Sequence, residues 1–198
     1  MAEDMSYEGD PDRLSDQDKQ YLLNLAREAL IFGVRRKRLP DIDSGSIPHK
    51  INLPGASFVT LTKNKELRGC IGSLEATRPL FEDVRLHTVA AALEDFRFPP
   101  VQEDEIKLIS IEVSRLTIPR RIEFDNPEEL LSKIRPGTDG VVIKKGLRRA
   151  TFLPQVWEKV PEIEIFLMML CRKMGAESDC WRSKNIEIFT YQVEKFCE

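Results

Sequence analysis

The chain has 198 residues, 41% apolar and 32% charged, a balance that excludes a mostly disordered protein and permits a core without disulfide or metal staples. The formal charge is −3, split as −5 over the first twenty residues and +2 over the rest, which argues against polyanion binding by bulk charge. No apolar run approaches the roughly 18 residues that a membrane-spanning helix needs.

Residues 1–13, rich in Asp and Glu, read as a mobile acidic arm. They lack the basic-then-apolar pattern of a secretory signal. Ser15 and Asp18 form a capping box, and Leu22, Leu25, Ala26, Ala29 and Leu30 recur at helical spacing, which predicts a helix over about 15–38. Residues 39–54 carry three prolines and read as a long loop. ASFVTLT (56–62) and LRGCIGSLE (67–75) read as two strands joined by a turn at Lys63–Lys65. A helix follows from Pro79 to Asp95, and the prolines of FRFPP (96–100) keep that stretch extended. A strand is expected over 107–118, then a short helix capped by Asn126 with Pro127 at its first position. GVVIKK (140–145) and RATFLP (149–154) form a hairpin around Gly146, 161–174 an apolar helix, and 186–196 a last strand. Helices and antiparallel strands mixed without a strict βαβ order give an α+β fold.

The unusual stretch is Leu67–Gly72, where two glycines bracket Cys70 inside a strand. Arg68 and Cys70 share a face in an undistorted strand, so the guanidinium favours the thiolate and the backbone N–H groups of Gly69 to Gly72 favour an oxyanion or a bound anion. Against this stands the ordinary reading of a strand cysteine as a small packed hydrophobe. Cys70, Cys171, Cys180 and Cys197 form no C-x-x-C pair, and the two histidines, His49 and His87, lie 38 positions apart. The expectation is reduced thiols, a cytoplasmic location, no metal and no cofactor. Phosphate-loop, dinucleotide, zincin and serine-hydrolase motifs are absent.

LRGCIG resembles the signature of the AMMECR family, and the resemblance runs from about residue 16 to 196. It extends to Gly55–Leu61 (GASFVTL), Asp95–Pro100 (DFRFPP), the strand Ile111–Leu116 with Gly137–Gly140 (GTDG) after it, Phe152–Trp157 (FLPQVW) and Leu170–Trp181, where Met174 stands in place of the usual Ala. It implies a two-lobed α+β fold, mostly antiparallel sheet flanked by helices, with LRGCIG in or beside a cleft between lobes. Residues 14–198 then form one domain, with a larger lobe of about 14–62 plus 125–198 and a smaller one of about 63–124. Prokaryotic members resemble one part of a system with a Memo-like protein and a radical-SAM enzyme, and no reaction is established for the family.

Two readings follow. In the first, the protein is a binding module whose cleft takes a small molecule or a protein partner, with Arg68, Gly69, Gly72, Asp95, Arg97, Asp139 and Gln155 as ligand-binding residues and Cys70 as a wall. In the alternative, it is a cysteine-dependent enzyme or accessory enzyme, with Cys70 as thiolate, Arg68 as anion anchor and Asp139 or His49 as candidate acid–base partner. Arg97 either pairs with Asp95 as a clasp at the helix exit or binds an anion. Asp139 either holds a turn or offers a carboxylate. RNA binding by the basic tip Lys144–Arg149 is a weaker third reading, opposed by the near-neutral charge. The binding module is the reading adopted, because no complete catalytic set can be assembled.

Overall fold

The computed structural model describes residues 12–183 and 185–198, with Ser44 described through its backbone only. The expected acidic arm therefore lies almost wholly outside the described residues. The elements in chain order are α1 (Asp16–Val34), α2 (His49–Asn52), β1 (Pro54–Lys63), β2 (Glu66–Gly72), β3 (Arg78–Pro79), α3 (Leu80–Leu93), β4 (Ile109–Leu116), β5 (Arg120–Ile122), α4 (Pro127–Lys133), β6 (Gly140–Lys145), β7 (Arg148–Phe152), α5 (Ile163–Lys173), β8 (Glu187–Tyr191) and β9 (Val193–Cys197).

Local signals act as the sequence predicts at several ends. The Ser15 hydroxyl accepts the Asp18 N–H at 3.1 Å, and the Asp18 carboxylate accepts the Ser15 N–H at 3.1 Å, closing the N-terminus of α1. Asn126 Oδ1 accepts the Glu129 N–H at 2.8 Å at the start of α4. α1 stops earlier than expected, because Arg36 takes a positive φ of 54°. The basic run 35–38 thus lies beyond the helix. Asn64 and Lys65 both take positive φ, the backbone that lets a two-residue turn follow the twist of β1 and β2.

The chain divides into two compact units. Unit 1 runs to Thr117 and takes back 194–198; unit 2 is Ile118–Val193. The expected lobes, 14–62 with 125–198 and 63–124, would separate paired strands: β1 is hydrogen-bonded to both β2 and β4, which places all three in unit 1. Its sheet has the order β2-β1-β4-β9, with β3 paired to β1. Val59 and Leu61 of β1 and Ile111 and Val113 of β4 are buried with Leu22 and Leu30 of α1 and Val84 of α3. Arg115, buried at the end of β4, donates to Glu194 of β9 at 2.7 Å and holds the returning terminus.

Unit 2 has a four-stranded antiparallel sheet of order β5-β8-β6-β7. Val141, Ile143 and Ile188 pack with Phe166, Leu167 and Leu170 of α5. Phe166 stacks on Trp157 at 3.6 Å between ring centres. The single strand expected over 186–196 is interrupted at Gln192: β8 joins the sheet of unit 2 and β9 that of unit 1. Both sheets carry helices, so the α+β class holds. No helix among the described residues is long and apolar enough to cross a membrane.

The expectation of four reduced thiols is corrected. Cys171 of α5 and Cys180 are joined as a disulfide, with their Cα atoms 6.0 Å apart, while Cys70 and Cys197 are free. After α5 ends at Lys173 the chain turns back and brings residues nine apart together, a proximity that spacing alone does not reveal. The thiol argument for a reducing compartment falls with it.

Two outcomes are expected. A non-reducing peptide map links Cys171 to Cys180 and finds Cys70 and Cys197 alkylated in denaturant without reductant. Phe166→Ala, which empties the stacked centre of unit 2, lowers unfolding free energy by about 3–5 kcal/mol in a denaturant titration.

Candidate functional site

β2 is an edge strand, and an edge strand leaves alternate N–H and C=O groups without a neighbour. At Cys70 those groups have partners from a loop. Asp95 Oδ2 accepts the Cys70 N–H at 2.8 Å, and Arg97 Nη2 donates to the Cys70 carbonyl at 3.2 Å. The two side chains are themselves paired through both carboxylate oxygens, Arg97 Nε to Oδ1 at 2.9 Å and Nη2 to Oδ2 at 2.6 Å. One carboxylate and one guanidinium thus stand where a neighbouring strand would, and the planar fork of arginine fits the task.

The sequence around this clamp explains its position. α3 ends at Leu93, and the Phe98 N–H closes a turn onto the Asp95 carbonyl at 3.0 Å. Pro99 and Pro100 then forbid further helix. Asp95 is buried, so its charge is secured by hydrogen bonds rather than by water. The Arg97 guanidinium, with the Cys70 and Arg97 backbone N–H groups, holds the Asp95 carboxyl well below the usual carboxylate range. Arg97 is correspondingly pushed up, first by Asp95 and further by the Cys70 sulfur.

Gly69 is required by contact. A Cβ there would run into the backbone carbonyl of Ala91 on α3, so only glycine lets the edge strand lie directly on the helix. Gly72 is equally closed, against Phe58 and the Ser57 carbonyl. Cys70 lies opposite Thr60 of β1, whose hydroxyl donates to the Cys70 sulfur at 3.3 Å. Thr60 was not among the residues expected; a register count back through the Asn64–Lys65 turn puts Val59 opposite Cys70, and only the bulge at Arg68 brings Thr60 there.

Arg68 does not share the site. The β1–β2 register shifts between Leu61, opposite Gly69, and Thr62, opposite Leu67, which leaves Arg68 as the extra residue of a bulge. The parity argument assumed an undistorted strand and fails here. Arg68 instead donates to both oxygens of Glu105, at 3.0 and 2.9 Å, and Lys63 adds a third bond at 2.9 Å. These bonds, Arg68 foremost, lower the Glu105 carboxyl to about 2.

Asp139 and Gln155 belong to unit 2. Asp139 is buried and accepts the Arg135 backbone N–H at 2.9 Å and its guanidinium at 2.9 Å, so it holds the turn before β6. Gln155 is exposed in the short turn Pro154–Glu158. His49 is exposed at the start of α2. The structure therefore brings together Gly69, Cys70, Gly72, Asp95 and Arg97, and adds Thr60.

Chemically, the cluster lacks a base. Asp95 is the carboxylate bonded at Cys70, and its lowered titration keeps it from taking a thiol proton at neutral pH. What the cluster offers outward is a fixed cation beside a sulfur. The Arg97 side chain is 44% exposed although anchored at three points, and Phe96 next to it is 95% exposed.

Comparison with known proteins matches residues 23–196 to the family model described as AMMECR1. Protein MK0488 of Methanopyrus kandleri is 36% identical over 195 residues, covering 94% of this chain and 91% of its own. Protein MJ0810 of Methanocaldococcus jannaschii is 40% identical over 156 residues, covering 77% and 78%. The crystal structure of the uncharacterized protein PH0010 from Pyrococcus horikoshii superposes with a TM-score of 0.72 at 32% identity, covering 93% of each chain.

Asp95 contributes stability that is complete above its ordinary value of 3.8 and is lost as pH falls toward its lowered folded value. Asp95→Asn therefore costs about 1–3 kcal/mol at pH 7, and the gap to the parent narrows as denaturant titrations are run at pH 3 and below. Gly69→Ala costs about 2–3 kcal/mol at every pH, because its collision with Ala91 does not titrate.

Proposed function

Because the chain belongs to the AMMECR1 family, whose compared relatives carry no assigned reaction, we propose that it is a binding module whose Cys70 site receives a protein partner. The exposure of Phe96 carries this reading. A phenylalanine left 95% in water costs solubility and stabilises nothing in its own chain. Aromatic and arginine side chains side by side are the composition of interface hot spots. Here Arg97 is already held by Asp95 and the Cys70 carbonyl, and its ring neighbour Phe98 lies 5.6 Å from the guanidinium carbon. A partner therefore meets a cation whose ordering cost is already met within the fold. The fitting partner segment presents a carboxylate to Arg97 and an apolar side chain to Phe96. Cys70 is a wall of the site, and its thiol, which accepts from Thr60 within the fold, makes no bond to the partner.

Panning a random peptide library on the immobilised protein is the test. The expected outcome is enrichment of peptides pairing an acid with a large apolar residue. Phe96→Ala and Arg97→Gln each weaken the selected peptide by about 2 kcal/mol, while Cys70→Ser changes its affinity little. Peptides that bind Phe96→Ala and Arg97→Gln as well as the parent contradict the reading. So does alkylation of Cys70 by iodoacetamide with a pH midpoint well below the free-thiol value of about 8.5, the signature of a nucleophile.

A further inference from the structure

We propose that unit 1 carries a second binding site, a pocket for a small organic anion between the end of α1 and the outer face of α3. The cavity there is about 410 Å³, within the range of small-molecule pockets. It has two chemically distinct walls. One is aliphatic, made by Leu39, Leu86 and Val89. The other presents Lys37 and Arg78, neither of which has a side-chain partner among the described residues. By contrast the flanking Arg35 and Arg38 are taken by Glu103 and Asp41. Glu94 is the single acid on the rim, so the pocket keeps an excess of positive charge.

His87 lines the site from α3. Its Nδ1 lies 3.0 Å from Asp83 Oδ2. Asp83 is buried and accepts the Ser57 N–H at 2.9 Å and the Ser57 hydroxyl at 2.7 Å. Serine, histidine and aspartate together raise the question of a hydrolase triad. The geometry answers it: Ser57 is fully buried and its hydroxyl is spent on Asp83, so no substrate reaches it. Asp83 is held by Ser57 and stands beside the imidazole, which lines the pocket. The aliphatic wall is fixed, since the buried Arg85 donates from Nη2 to the Pro40 carbonyl at 2.5 Å, next to Leu39.

Two unspent cations and an imidazole beside an aliphatic wall fit one ligand class. It is a small molecule with a carboxylate or phosphate at one end and a short apolar portion at the other. Calorimetric titration of the full chain with hexanoate, hexyl phosphate, hexanol and hexylamine tests this directly. At least one of the two anions is expected to bind saturably at a single site, with hexanol and hexylamine weaker by about tenfold or more. The double variant Lys37→Gln with Arg78→Gln is expected to lose about tenfold or more in affinity for that anion. It should unfold at the parent temperature, because both side chains leave the core untouched. His87→Gln, a second variant on another wall, is expected to weaken the same anion. The proposal is overturned if neither anion binds, if hexanol binds as well as the anions, or if the double variant and His87→Gln bind like the parent.

Discussion

The Asp95 carboxylate, buried at the exit of α3 and joined to Arg97, takes the one backbone N–H of Cys70 that the sheet leaves open. Without it, β2 presents an unpaired edge beside a helix, with two glycines that weaken any strand. With it, the edge is closed by side chains, and the strand is pressed onto α3 at Gly69. The signature LRGCIG and the element DFRFPP are therefore two halves of one device. The glycines allow the approach of strand to helix, and the acid–base pair holds the strand once it is there.

The same device decides what the site can do. A carboxylate fixed by an arginine is a poor proton acceptor, so the group best placed to activate Cys70 is the one spent on structure. An arginine fixed by a carboxylate is a good recognition element, because its orientation is set before any partner arrives. Rigidity purchased for the edge strand thus displays Arg97 and Phe96 at no further cost in ordering. The pocket at Lys37, Arg78 and His87 is separate from this cluster in its residues and in its chemistry.

Much of this was legible in the sequence wherever the signal is local. Caps at Ser15 and Asn126, the Asn64–Lys65 turn and the alternation of β4 each act within a few residues. The pairing of Asp95 with Arg97 was among the readings for the same reason. The extended run expected over 96–100, by contrast, is bent at 96–98, where the Phe98 N–H closes a turn onto the Asp95 carbonyl. What was not legible depends on register or on distant chain. The bulge that removes Arg68 from the side of Cys70 is a property of two strands, not one. Glu105, which takes Arg68, lies 37 residues away. The last strand is interrupted because its two halves serve different sheets, which no periodicity within 186–196 reveals. The Cys171–Cys180 disulfide rests on the fold of a loop rather than on a spacing motif.

Amide hydrogen exchange at Cys70 tests the edge-clamp account most directly. If Asp95 and Arg97 close the edge, the Cys70 N–H is protected like the central-strand amides of Val59 and Val113, and Asp95→Asn exposes it while those two stay protected. A Cys70 amide that exchanges in the parent as fast as one in an open loop would contradict the account, because the clamp would then hold nothing.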